Sequence, residues 1–293
     1  MADEIVALFR KFLSSIRPDD DYLNTLRNRR EVIVRAVNRE FRSRDTSDHA
    51  IYVGSHGRNT ANKYSDIDLA VILPEQEKAR FTNYSGNGQS TLLQVVKGAI
   101  LDSYPTTDVK GDGQIVSVKF SDGMTFEVLP AFETGYYINS LYYPDTHSGG
   151  KWKITDPRSE QKAISDLNGR CGDRIYDLCR TVRIWNRQNA ANMSGYVIDA
   201  TVCEFFRCNQ SIWTVLDYPH LVSAYVHFLY NNRYKTHWPM VDSNELVIAD
   251  IDRKAVEDTI KMIDLADASI REGRTWDAIQ AWGNILGSSF PVV

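Results

Sequence analysis

Two aspartates one residue apart, Asp66 and Asp68 in the run SDIDLAVIL, have the types and spacing to do chemistry. In a β-strand, positions two apart point to the same side, about 6.7 Å apart. Both carboxylates then face one way while Ile67 and Leu69 turn inward. Two carboxylates crowded to roughly 4 Å repel by about 4 kcal/mol at an effective dielectric near 20. A bound divalent cation converts that repulsion into coordination, and oxygen donors favour Mg²⁺, with Mn²⁺ as a substitute, over Zn²⁺. Twelve residues before Asp66 stands Gly54-Ser55, at the end of AIYVGS. A glycine there lets the backbone approach a ligand closely, and the amides that follow point at an anion. A phosphate-binding turn beside a two-acid metal site describes an enzyme of nucleoside triphosphates, though not a P-loop protein, since GxxxxGK[ST] does not occur. A third acid should come from a neighbouring strand. Glu127 in TFEVLP is the first choice, because Thr125, Glu127 and Leu129 share one face while Phe126 and Val128 point to a core; Asp122, in the preceding turn, is the alternative.

These groups need elements to hold them. Ile5, Leu8, Phe9, Phe12 and Ile16 recur at the helical period, so the chain is expected to open with an amphipathic helix. Pro18 interrupts it, and Asp19, Asp20 and Asp21 can start a second helix running to about Arg44, with Leu23, Leu26, Ile33, Val37 and Phe41 inward. Seven arginines lie between Arg27 and Arg44; they read as a solvated helix face balanced by Glu31 and Glu40, or as a surface that meets phosphates. Short strands follow: AIYVGS, DIDLAVIL, and a hairpin of QIVSVKF and MTFEVLP around Ser121-Asp122-Gly123. A helix near Gln89 to Asp102 interrupts them, and Tyr84 to Gly88 and Asp145 to Gly150 read as loops. Beyond Thr155 the pattern is helical: one long helix from Ile164 through Trp185, weakened at Gly169 and Gly172, then helices around Gly195–Phe206, His220–Tyr230, Arg253–Arg271 and Trp276–Leu286. Asp252 and Thr275 are candidate N-caps, and Gly287 a C-terminal stop. The division expected is a core at 1–155 and a helical lobe at 156–293.

Composition narrows the class. With 43% hydrophobic and 25% charged residues the chain is globular rather than disordered or fibrous, and 293 residues suffice for two domains. Its 34 basic and 38 acidic residues leave a net charge of −4, so it is not built to coat long nucleic acid. No stretch reaches the roughly 18 apolar residues of a membrane span. Asp3 and Glu4 stand where a secretory signal carries positive charge, so a cytoplasmic protein is expected. Four cysteines (Cys171, Cys179, Cys203, Cys208) are too few for a disulfide scaffold. The histidines never approach them at zinc-ligand spacing.

GSHGRNT…SDIDLAVIL…FEVLPAF resembles the nucleotidyltransferase core of the polymerase-β superfamily. ITDPRSEQKAISDLN, LCRTVRIWNRQ, MSGYVIDATVCEFF and AIQAWGNILGSSFP narrow the resemblance to the bacterial cGAS/DncV-like nucleotidyltransferases (CD-NTases), relatives of animal cyclic GMP-AMP synthase and oligoadenylate synthetase. The resemblance implies an α+β fold: a mixed sheet with helices plus a helical C-terminal lobe. It implies that Gly54 and Ser55 hold the triphosphate and that Asp66, Asp68 and Glu127 hold two Mg²⁺ ions, Glu127 standing where the family usually has Asp. Arg183 matches a basic residue that contacts donor phosphates, Tyr196 an aromatic that stacks on a base, and Ser194 a phosphate contact. A solvated face for Arg183 and a core position for Tyr196 are the plainer readings of those side chains. The implied activity is synthesis of a cyclic di- or trinucleotide from NTPs, ATP among them, by a monomer that needs neither membrane nor long nucleic acid. Its product would activate a separate effector in antiphage signalling. A nucleotidyltransferase with an RNA or protein acceptor, and a catalytically silent nucleotide sensor, are the alternatives.

Overall fold

The computed structural model describes residues 2–43, 45–135, 139–210, 217–241 and 246–292. The chain divides into two compact units. One, the sheet unit, comprises Pro18–Arg58 and Tyr64–Lys162; the other, the helical unit, takes the residues up to Arg17, the short segment Asn59–Lys63, and everything from Ala163 on. The boundary therefore differs from a single cut at 155. The first helix joins the helical unit because its apolar stripe finds its partners there.

In the sheet unit, α2 (Asp20–Arg42) begins where Asp19 accepts a hydrogen bond from the Tyr22 amide at 2.8 Å. Arg44, to which this helix was expected to run, lies outside the described residues. Leu26, Ile33, Val34 and Val37 of α2 join one buried cluster with Leu92, Val96 and Ile100 of α5 (Gly88–Ser103). That cluster covers a mixed sheet of β1 (Ala50–Tyr52), β2 (Ile67–Ile72), β3 (Asp108–Asp112), β4 (Ile115–Lys119) and β5 (Thr125–Glu133), ordered β1-β2-β5-β4-β3, with β6 (Leu141–Asp145) pairing β5 and β7 (Lys151–Thr155). The expected hairpin is present as antiparallel β4–β5. The central pair, β2 and β5, is parallel. Burial alternates along the start of β5, with Phe126 and Val128 fully buried and Thr125, Glu127 and Leu129 on the other face. Each buried Val, Leu or Phe contributes about 1.5–3 kcal/mol, which holds the register that this alternation specifies. Strands β3, β6 and β7 and the helix α4 (Glu75–Thr82) were not anticipated. They are short, and Gly111 and Pro144 blur their period.

In the helical unit, Phe9 and Phe12 of α1 (Ala2–Ile16) are fully buried, and Phe9 meets Trp282 edge-on with ring centroids 4.8 Å apart. The long helix expected from Ile164 to Trp185 is two: α6 (Pro157–Arg170) and α7 (Arg174–Asn189). Gly172 (φ 63°) and Asp173 (φ 62°) adopt left-handed backbone, which no helix continues through. The buried Asn168 carboxamide takes up the freed donors, accepting from the Ile175 amide at 3.1 Å and the Tyr176 amide at 3.3 Å. Helices α8 (Gly195–Cys208), α9 (Tyr218–Asn231), α10 (Arg253–Arg271) and α11 (Thr275–Leu286) follow, with a β8 (His237–Pro239)–β9 (Leu246–Ile248) pair between α9 and α10. Asp252 caps α10 through the Ala255 amide at 2.8 Å, and Gly287 ends α11. Thr275 is the first helical residue of α11, whose N-cap is Arg274, so that expectation is corrected by one position. All four cysteines are free thiols. Among the described residues no helix is long and apolar enough to cross a membrane.

Candidate active site

The acids are brought together by strand register. Asp66 lies just before β2 and is exposed; Asp68 is the second residue of β2 and half-buried. In the parallel β2–β5 ladder Asp68 is the direct partner of Glu127. The two side chains share a hydrogen bond, and Asp66 acts on both through space. Burial, chiefly, and the Glu127 charge push the Asp68 carboxyl up to about 7, against a fall favoured by the Arg58 cation. Glu127 is raised as well, first by burial and then by Asp66. The Asp68 carboxyl therefore holds a proton near neutrality beside the Glu127 oxygens. Among the described residues, however, no three His, Cys, Asp or Glu side chains close into a group that could hold a metal ion as they stand. Asp122 is not part of this cluster: it ion-pairs with Arg29 at 2.9 Å, which lowers its carboxyl.

Gly54 and Ser55 begin α3 (Gly54–Gly57), the turn that leaves β1. The Val53 amide donates to the Asp68 carbonyl at 2.9 Å, tying this turn to β2. Gly54 has φ 55°, and a Cβ built on it would overlap the Asp68 carboxylate, so conformation and close approach both require glycine. Gly57 is equally confined, with the Tyr52 carbonyl 2.5 Å from where its Cβ would be. The turn and Asp68 are thus in direct contact. Two neighbours went unread in the sequence. Arg58, inside the quoted GSHGRNT, is a buried cation paired with Glu160 at 3.3 Å. Tyr22 lies parallel to His56, interplanar angle 12° and centroids 6.5 Å apart. Its hydroxyl is pushed up to about 12 by burial and by Asp66. Nothing in the local sequence connects Tyr22 to a motif more than thirty positions downstream.

The other three expected contacts belong to the helical unit. Ser194 is the N-cap of α8, its Oγ accepting from the Val197 amide at 3.2 Å. Tyr196 is half-buried against the helical core. Arg183, expected on donor phosphates, directs its guanidinium inward. It ion-pairs with the fully buried Asp199 at 2.8 Å and donates to Thr60 Oγ1 at 3.1 Å and to the Gly195 carbonyl at 3.2 Å.

The sheet unit thus pairs two acids on parallel central strands beside a glycine turn. Residues 4–168 match the model of the Second Messenger Oligonucleotide or Dinucleotide Synthetase domain, and the chain belongs to that family. It is 23% identical over 244 residues to a probable cyclic nucleotide synthase of Bacillus cereus (strain VD146), across 79% of this chain and 73% of that protein. The fold is similar to that of the Vibrio cholerae DncV cyclic AMP-GMP synthase in complex with a linear intermediate. That match has a TM-score of 0.74 and 12% identity, and covers 95% of this chain and 93% of that one. It is also similar to E. coli MS115-1 CdnC, solved with HORMA-deltaN: TM-score 0.67, 15% identity, 97% and 98% covered.

Proposed function

We propose that this nucleotidyltransferase joins NTPs, ATP among them, into a cyclic di- or trinucleotide. The observation that carries the reading is the Asp68–Glu127 register beside Gly54, within the span that matches the family. A ribose hydroxyl oxygen of one nucleotide attacks the α-phosphorus of another; the new P–O bond forms as the bond to the β-phosphate bridging oxygen breaks, and pyrophosphate leaves. Further attacks of the same kind extend and close the ring, two in all for a dinucleotide and three for a trinucleotide, each releasing pyrophosphate. Nucleotidyltransferases of this family generally use divalent metal. Asp66, Asp68 and Glu127 would hold Mg²⁺: Asp68 and Glu127 are adjacent oxygen donors of the type that ion takes, and the exposed Asp66 would have to draw in to complete the set. When bound, the metal supplies charge neutralisation at the phosphates and a more acidic hydroxyl. Glu127, or water, accepts the hydroxyl proton; Gly54 and Ser55 keep the backbone open to the triphosphate; Tyr196 stacks on a base. Positioning and charge do the catalytic work. We assign the protein to the cytoplasm as a monomer whose product activates a separate effector in antiphage signalling.

The test is incubation with each labelled NTP and Mg²⁺ alone. A phosphatase-resistant small product, read by mass spectrometry for base content and ring size, supports the synthase. Label that appears only on added RNA or protein supports a transferase with a macromolecular acceptor. Nucleotide binding with no pyrophosphate release supports a silent sensor.

A further inference from the structure

We infer that Thr60, held by Arg183, Asp199 and their neighbour Arg180, anchors the chain segment that joins the glycine turn to Asp66 and Asp68, and that Arg183 is a positioning residue within this anchor. The inference rests on the reading of Gly54, Asp66 and Asp68 as the reacting site.

The segment Asn59–Lys63 is flanked on both sides by chain of the sheet unit, yet its own contacts lie in the helical unit. Arg58 and the turn precede it directly; Asp66 comes three residues after Lys63. Thr60 is fully buried, and its hydroxyl is committed twice: it donates to Asp199 Oδ2 at 3.0 Å and accepts from Arg183 Nη2 at 3.1 Å. Arg180 grips either side of it, donating to the Asn59 carbonyl at 2.8 Å, to Asn59 Oδ1 at 3.1 Å and to the Ala61 carbonyl at 2.9 Å. Asn59 sits at φ 58°, a left-handed conformation that asparagine tolerates. The Lys63 amide closes the segment onto the Ile16 carbonyl at 3.2 Å.

A solvent-facing connection between the turn and β2 needs none of this. Both charges of the Arg183–Asp199 pair are desolvated, with side-chain exposures of 9% and 0%. A desolvated pair is weak evidence for added stability, and fixing one geometry is its better-attested use. What it fixes here is Thr60, together with the first turn of α8, whose Gly195 carbonyl receives the same guanidinium. A guanidinium with donors on Thr60, Gly195 and Asp199 is well placed to hold the segment leading to Asp66, and reacting groups misplaced by about 1 Å can lose about 10²-fold in rate.

The experiment compares Thr60→Val, Thr60→Ser, Arg183→Met and the Thr60→Val/Arg183→Met double variant in the full chain. It measures product formation against ATP concentration and amide hydrogen exchange across residues 54–68. Each of Thr60→Val and Arg183→Met should lower kcat by about tenfold while the KM for ATP stays within about twofold, and the double variant should be no worse than the poorer single. Thr60→Ser, which keeps the hydroxyl, should restore activity to within about twofold of wild type. Exchange in 54–68 should quicken by about tenfold in both singles. Arg183→Met strands the Asp199 charge; if it does not fold, the uncharged Thr60→Val decides alone. Unchanged exchange in Thr60→Val overturns the anchor. So does a raised KM in Arg183→Met with normal kinetics in Thr60→Val. Should wild type make no nucleotide product, the proposed function fails instead, and exchange still judges the anchor.

Discussion

Replacing Asp68 by Asn should make the metal-free protein more stable above neutral pH, although it destroys the site. Burial and Glu127 lift the Asp68 carboxyl from 3.8 to about 7. At about 1.4 kcal/mol per tenfold change in proton affinity, that is about 4 kcal/mol. Because Glu127 shares the hydrogen bond and part of the burden, about 2–4 kcal/mol is the gain to expect from removing the charge. The folded state binds this proton more tightly than the unfolded state. The wild-type penalty is therefore absent below pH 3.8, grows as pH rises towards 7, and is complete above it. At pH 8 the variant should gain the full amount, and at pH 5 less than half of it. The chain has two units, so the readout should report the sheet unit alone: hydrogen exchange of the slowest β2 and β5 amides in EDTA at each pH. Adding Mg²⁺ at pH 8 should then protect wild type and not the variant. A variant no more stable than wild type at pH 8, or a gain equal at both pH values, would refute the electrostatic account of Asp68.

Other outcomes follow from the same geometry. Glu127→Gln should cut product formation by roughly 10²-fold or more, while Asp122→Asn, which removes only the partner of Arg29, should leave the rate within about threefold; the reverse result would move the third acid to the hairpin turn. Gly54→Ala should destabilise the sheet unit by about 1–3 kcal/mol and abolish product, since it strains a positive φ and presses on Asp68; a thermal melt with a product assay reads both. Tyr196→Ala should weaken nucleotide binding in a titration more than it lowers the melting temperature, and the opposite pattern would make it a core residue. Asp252→Ala removes the α10 cap and should cost about 1 kcal/mol without altering kinetics, as urea unfolding and steady-state rates would register.

Period-2 and period-3.6 patterns made the strands DIDLAVIL and MTFEVLP and most helices readable, because burial of one face is a local property of residue type. Spacing alone suggested Asp66 and Asp68 on one side of a strand with glycine at the turn; the strand begins at Ile67, so Asp68 is in it and Asp66 precedes it. The choice of Glu127 over Asp122 was legible only as an alternation of faces; its partnership with Asp68 comes from a parallel pairing of strands 59 residues apart, which no local pattern encodes. The split at Gly172-Asp173 was half visible as a weak helix centre, but the cap that makes it a break is Asn168, reaching across the turn. Arg183 shows the limit most clearly. Its place on a helix beside an apolar stripe suggested a solvated face, whereas the fold brings Asp199 and Thr60 to its guanidinium. Residue identity sets which groups can ionise, coordinate or turn the chain; which of them face one another, and so which are desolvated, depends on contacts between distant segments that form only on folding.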